Sequence, residues 1–167
     1  MGQWSLKERL QPSLLDRLTD QQTNKSREST AQQSMGHKEF KNAVIRDLGW
    51  LLNSVCLDVC VDLEAYPEVR NSVLNYGLPD ISGQTSSTIE VKTIELAVRK
   101  AIRQFEPRII RNTLQVKVHS NVDEMSHNSL VFEIQGAVFG QPSPFQIVLR
   151  SELDLECGEF TLTENFD

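Results

Sequence analysis

Nowhere in the 167 residues does an apolar run approach the ~20 positions that a membrane-spanning helix needs. Direct membrane insertion is therefore not expected. Cations are also in short supply: 17 lysines and arginines stand against 23 aspartates and glutamates, a net charge of −6. Nucleic acid and anionic membrane surfaces select a basic face, so neither is an expected partner. The three cysteines, Cys56, Cys60 and Cys157, include no C-x-x-C pair, so they suggest neither a disulfide framework nor a zinc site. His37, His119 and His127 fall in or beside expected loops, and no metal or cofactor is expected. Residues 1–9 hold no apolar signal-peptide core, which points to the cytoplasm. Catalytic signatures are missing too: there is no G-x-S-x-G, no phosphate-binding glycine loop and no H-E-x-x-H. Glu39, Glu64, Glu90 and Glu106 are no better placed for acid–base work than any other glutamate. The chain does not read as an enzyme.

What it does have is amphipathic pattern. The length suits one domain with an appendage, and 39% apolar residues suffice for one modest core. The organising stretch runs from Ser87 to Val118. Ser87 followed by Glu90 is the pattern of a helix start, with the hydroxyl taking a free N–H and the carboxylate reaching back. Val91, Ile94, Val98, Ala101, Ile102 and Phe105 then share one side of a helix. Pro107 stops it, because proline has no N–H and pushes Glu106 out of helical geometry. Leu114, Val116 and Val118 alternate with Gln115 and Lys117, the period of a half-buried strand. Glu106 and Arg108 thus flank a rigid corner, where they either staple helix to strand or meet another chain. Away from the apolar stripe, Lys92, Arg99, Lys100 and Arg103 surround Ile89 and Leu96 in a local basic patch, solvated or a seat for an acidic partner.

Earlier in the chain, Leu10, Leu14, Leu15 and Leu18 mark a short helix with Pro12 in its first turn. A helix this short needs something to lie on. Residues 19–36 are polar and bury almost nothing, the composition of a flexible linker. Residues 1–36 therefore read as a docking helix on a tether, and 37–167 as the folded domain. The alternative is that the helix folds back on its own core; the linker length favours docking. A second strong helix is expected over 38–55, with Phe40, Val44, Ile45, Leu48, Leu51, Leu52 and Val55 on its apolar face. Trp50 points away from that face, on the side of Arg46, with Asp47 nearby and Gly49 allowing close approach. Such a tryptophan meets either a partner or a second layer of its own chain. Residues 56–63 alternate and suggest a short strand, or else the helix running on. Tyr66 and Pro67 open a helix that Gly77 stops, and a turn segment follows over 78–83.

The last third is β. Leu130, Phe132 and Ile134 alternate in one strand; Phe145, Ile147 and Leu149 alternate in the next, after a turn over 140–144. Three strands in order make an antiparallel meander whose apolar face the two main helices cover, an α+β fold. The third strand stays alternating through Leu153, Leu155 and Cys157, about thirteen residues or roughly 43 Å at ~3.3 Å each. It outruns its neighbour, so Ile147, Leu149, Leu153 and Leu155 mark a candidate edge for strand addition. The other reading is a bulge near Ser151 that turns the tail home.

Four segments in order carry a resemblance: residues 12–20, 40–53 (Phe40 to Asn53), 66–80 (Tyr66 to Asp80) and 102–109 with its Glu-Pro-Arg. Together they resemble TssE, the baseplate subunit family of the bacterial type VI secretion system, itself similar to the wedge protein of contractile phage tails. The resemblance implies a structural subunit at the cytoplasmic side of the cell envelope. It implies wedge partners TssF and TssG, contact with the first ring of the TssB–TssC sheath, and an assembly interface at Glu106, Pro107 and Arg108. Arg46 and Trp50 join them as interaction candidates on the composition argument above. A strand handshake with the sheath would suit the long third strand. Two other classes are weighed: a regulatory adaptor, because a stress-response anti-adaptor looks similar, and a peptidoglycan hydrolase, because some members are labelled lysozyme-like. The residues lend no support to the hydrolase label.

Overall fold

A computed structural model describes residues 13–19, 36–81, 91–119, 129–140 and 143–164. The expected cap at Ser87 and Glu90, Pro12, most of the linker, the 120–128 loop and residues 141–142 lie outside them. The elements run α1 (Leu14–Leu18), α2 (His37–Leu52), α3 (Pro67–Arg70), α4 (Val91–Phe105), β1 (Gln115–His119), β2 (Ser129–Val138), β3 (Phe145–Asp154) and β4 (Phe160–Glu164). The four strands form one antiparallel sheet in chain order, and α2 and α4 pack against each other and across it. The α+β meander covered by two helices is what the periodicities dictate.

Both helices bury the stripe that their spacing marks. Phe40, Val44, Leu48, Leu51 and Leu52 of α2 are buried, as are Ile94, Val98, Ala101 and Ile102 of α4. The opposing sheet face supplies Val116, Phe132, Ile134, Ile147, Leu149 and Leu153, and Phe132 lies at the centre with its ring 5.5 Å from that of Phe160. Removing a ring from such a site costs about 3–5 kcal/mol, the lost transfer energy plus the cavity. Asn53, which ends α2, exchanges two hydrogen bonds with Phe160. Its Nδ2 donates to the Phe160 carbonyl at 2.9 Å, and the Phe160 amide donates to its Oδ1 at 2.8 Å.

Three local expectations are corrected. Residues 56–63 are neither a strand nor a continuation of α2. Backbone bonds from Leu78 to Ser54 and from Cys56 to Leu78 make a single parallel bridge at Val55, and a 3-10 turn over Leu57–Val59 follows. Val55 therefore leaves the α2 stripe and is exposed. Gly77 is required there: its φ is 122°, and a Cβ would lie 2.2 Å from the Ser54 carbonyl oxygen. The helix begun by Pro67 stops after one turn, and a second 3-10 turn, Val73–Asn75, precedes Gly77.

The third correction concerns the strand taken to overhang. β3 is 10 residues long, like β2, and pairs with it from Ser129↔Asp154 to Val138↔Phe145. The chain then turns, with Asp154 Oδ1 accepting from the amides of Glu156 and Cys157 and Gly158 at φ 74°, and returns as the unforeseen β4. That strand pairs with β3 from Leu149↔Glu164 to Leu153↔Phe160. The side chains of Ile147, Leu149, Leu153 and Leu155 are all buried in the core. Leu149 and Leu153 therefore have strand partners on both sides, and Leu155 sits in the hairpin. Ile147 alone of the four lies where β3 has no described partner beyond β2.

Candidate functional site

The corner after α4 is built by a proline stop. The Glu106 amide still bonds the Ile102 carbonyl at 2.9 Å, closing the last turn. Pro107 cannot continue the ladder. The chain turns onto the end of β2, where Ile110 N donates to Ala137 O at 2.8 Å and Phe139 N donates to Arg108 O at 2.7 Å. Thr113 Oγ1 accepts from the Ala137 amide at 2.8 Å. Arg108 is thereby fixed between a helix end and a sheet end, and Pro107 projects into solvent.

Glu106 points inward and is only 4% exposed. Its carboxylate accepts from the Arg108 amide at 3.0 Å, from Nε at 2.7 Å and from Nη2. The same guanidinium donates from Nη2 to Asp47 Oδ2 at 2.6 Å, and it lies 5.9 Å from the Phe40 ring. Asp47 Oδ1 accepts from Arg46 Nε at 2.9 Å and Nη2 at 2.8 Å. Arg46 Nη1 donates to Asp16 Oδ1 at 2.6 Å. Five groups of alternating sign thus run Glu106, Arg108, Asp47, Arg46, Asp16 across the corner, α2 and α1. Trp50 borders the chain, with the Arg46 guanidinium 4.9 Å from its ring centroid and half its surface (50%) exposed.

The electrostatics follow from this alternation. Burial works against the Arg108 charge, but Glu106 and then Asp47 outweigh it and raise its pKa. The Arg46 pKa is raised chiefly by its bond to Asp16. In return, Arg46 holds the Asp16 carboxyl below its ordinary value, aided by Ser13 and opposed by burial. The Tyr76 hydroxyl donates to the Asp47 backbone carbonyl at 3.4 Å, and its ring is edge-on to Phe105 at 5.3 Å. Burial first, then the Asp47 and Glu106 carboxylates, push its phenol up. Within this network, Arg108 Nη1 is buried with no hydrogen-bond partner among the described residues.

Chemically, this is a clamp. Glu106 spends its carboxylate on Arg108, and Arg108 spends its fork on two carboxylates from different elements. The arrangement fixes directions, above all that of exposed Pro107. The sequence-marked residues Glu106, Pro107, Arg108, Arg46 and Trp50 come together here, and Ile147, Leu149, Leu153 and Leu155 do not. Asp16 and Tyr76 belong to the network without a local signal that could have found them. Asp16 seats α1 on α2, yet Leu14, Leu15 and Leu18 remain exposed. In the basic patch of α4, Arg99 is held by Glu95, while Lys92, Lys100 and Arg103 are exposed. No helix among the described residues is long and apolar enough to cross a membrane.

A family model described as baseplate wedge protein gp25 matches residues 38–143, a span that runs from α2 through the Glu-Pro-Arg corner to the turn after β2. Comparison with curated proteins and with solved structures finds no match.

Proposed function

The chain belongs to the baseplate wedge protein gp25 family, and from that premise we propose that it is the TssE-type wedge subunit of a type VI secretion baseplate. The family role is structural, within a contractile, phage-tail-like baseplate. The finer reading is that this chain joins TssF and TssG through the corner at Glu106, Pro107 and Arg108 and the neighbouring Arg46 and Trp50. It then helps to start the TssB–TssC sheath, at the cytoplasmic side of the envelope.

The observation that carries the reading is the clamp itself. Its charges hold an exposed proline and an exposed tryptophan on a rigid frame, which is how an interface anchor is kept preorganised. Residues 1–36 act in this reading as a docking arm, and exposed Leu14, Leu15 and Leu18 are its apolar contacts. For the sheath, this reading takes the edge of β3 over 145–148 as the segment for strand exchange, since no described residue pairs with it opposite β2.

Co-expression with TssF and TssG tests the wedge role: the full chain should co-purify with them, and Trp50→Ala should reduce recovery while leaving the melting curve in place. Full recovery of that variant would remove Trp50 from the interface. A photo-cross-linker at exposed Gln146 should capture TssB–TssC, while the same group at Thr161 should not. Equal capture at both positions would rule out strand exchange at 145–148.

A further inference from the structure

The segment between α2 and Gly77 turns its apolar side chains the wrong way for a core. Val59, Val61, Tyr66, Val73 and Leu74 are all exposed, Val73 by 78% and Leu74 by 67%. Leu63 is buried as the inward anchor, and Cys56 and Leu78 bury the two ends. The segment is nonetheless held as one unit. The Asp58 amide donates to Asn75 Oδ1 at 2.9 Å, Arg70 Nε donates to Asp58 Oδ2 at 3.1 Å, and Asn75 Nδ2 donates to the Arg70 carbonyl at 3.0 Å. These bonds tie the Leu57–Val59 turn, α3 and the Val73–Asn75 turn together. Single exposed apolar residues are ordinary, but five within one hydrogen-bonded unit exceed that scatter.

Its charge says what kind of contact. Asp62, Glu64 and Glu68 are exposed and have no cationic partner among the described residues, while Arg70 is spent on Asp58. An acidic partner would meet uncompensated like charge, which costs several kcal/mol across an interface. A segment with lysines or arginines beside its apolar residues would fill the surface and neutralise its rim.

We propose that Val59, Val61, Tyr66, Val73 and Leu74, rimmed by Asp62, Glu64 and Glu68, dock a cationic apolar segment of another baseplate subunit. This second surface rests on the wedge reading above and is separate from the Glu-Pro-Arg corner. The test uses the full chain co-expressed with TssF and TssG. Two double variants are compared with the wild type, Val73→Ser with Leu74→Ser and Glu64→Lys with Glu68→Lys. Every one of these side chains is exposed, so melting temperatures should stay close to wild type. Recovery of the complex should fall about tenfold or more for each double variant, and rising salt should weaken wild-type binding more than that of the lysine variant. Wild-type recovery of both double variants overturns this surface and leaves the wedge role standing. Failure of the wild type itself to co-purify overturns both. A concentration-dependent dimer of the free chain, abolished by the serine pair, would reassign the surface to a second copy, whose exposed Lys92, Leu96, Lys100 and Arg103 carry the matching chemistry, and overturn the proposal as well.

Discussion

Arg108 reaches Asp47 across 61 positions of sequence, Nη2 to Oδ2 at 2.6 Å, and so joins the corner after α4 to the middle of α2. Arg108→Ala would leave the buried Glu106 carboxylate and Asp47 without their shared cation. Breaking one side of such a pair costs about 3–5 kcal/mol. Arg108→Lys should recover only part of this, because an ammonium cannot serve two carboxylates through a planar fork. Urea unfolding measures both, and a loss under about 1 kcal/mol for Arg108→Ala would contradict the clamp. Assembly defects in Glu106 or Arg108 variants therefore mix folding with docking, and exposed Trp50 is the cleaner probe of contact.

Gly49 lies inside α2, yet a Cβ there would meet no described residue within 4 Å. Gly49→Ala should therefore stabilise the free chain by about 0.5–1 kcal/mol, since glycine costs that much in a helix interior. If a wedge partner passes close to this face, the same variant should bind it less well. A thermal melt and a co-purification on one preparation read both, and a lowered melting temperature would contradict the open space seen there.

Asn53→Ala removes both bonds to Phe160 and leaves a backbone amide and a carbonyl of β4 without them. The expected loss is about 1–3 kcal/mol, the desolvation cost of groups left unmet. Hydrogen exchange should locate it: the Phe160 amide should lose protection before those of β2.

Asp16 gives the pH dependence. Its carboxyl is held below the ordinary 3.8, chiefly by Arg46. A group whose folded pKa is depressed contributes stability above its unfolded value, and that contribution is lost as pH falls through the lower folded value. The α1 seat should hold at neutral pH and release only below 3.8. NMR titration of the Asp16 carboxyl checks this; a midpoint above that value would place Asp16 away from Arg46. Asp16→Asn should weaken the seat across the whole range.

Much of the fold is legible because burial imposes a period. The α2 and α4 stripes and the alternation in β1, β2 and β3 follow directly from which side of each element meets the core. The end of β3 is not legible that way. Leu155 keeps the alternation beyond the strand and is still buried, so only the turn chemistry of Asp154 and Gly158 stops the pairing. β4 offers just Phe160 and Leu162 as inward positions, too few for a period to declare itself. In the site, the proline stop and the Arg46–Trp50 adjacency are local and can be read from spacing. The pairings of Arg108 with Asp47 and of Arg46 with Asp16 join distant segments, and nothing near either residue announces its partner.

The two bonds between Asn53 and Phe160 also set an order of events during synthesis. Their partners are 107 positions apart. At ~5–20 residues per second, α2 leaves the ribosome roughly 5–20 s before the strand that latches its end. α4 emerges within that interval and can already pack on α2, but the end of the helix stays unlatched until β4 follows. The C-terminal end of α2 is therefore fixed last, by a strand made long after the helix has its packing partner α4.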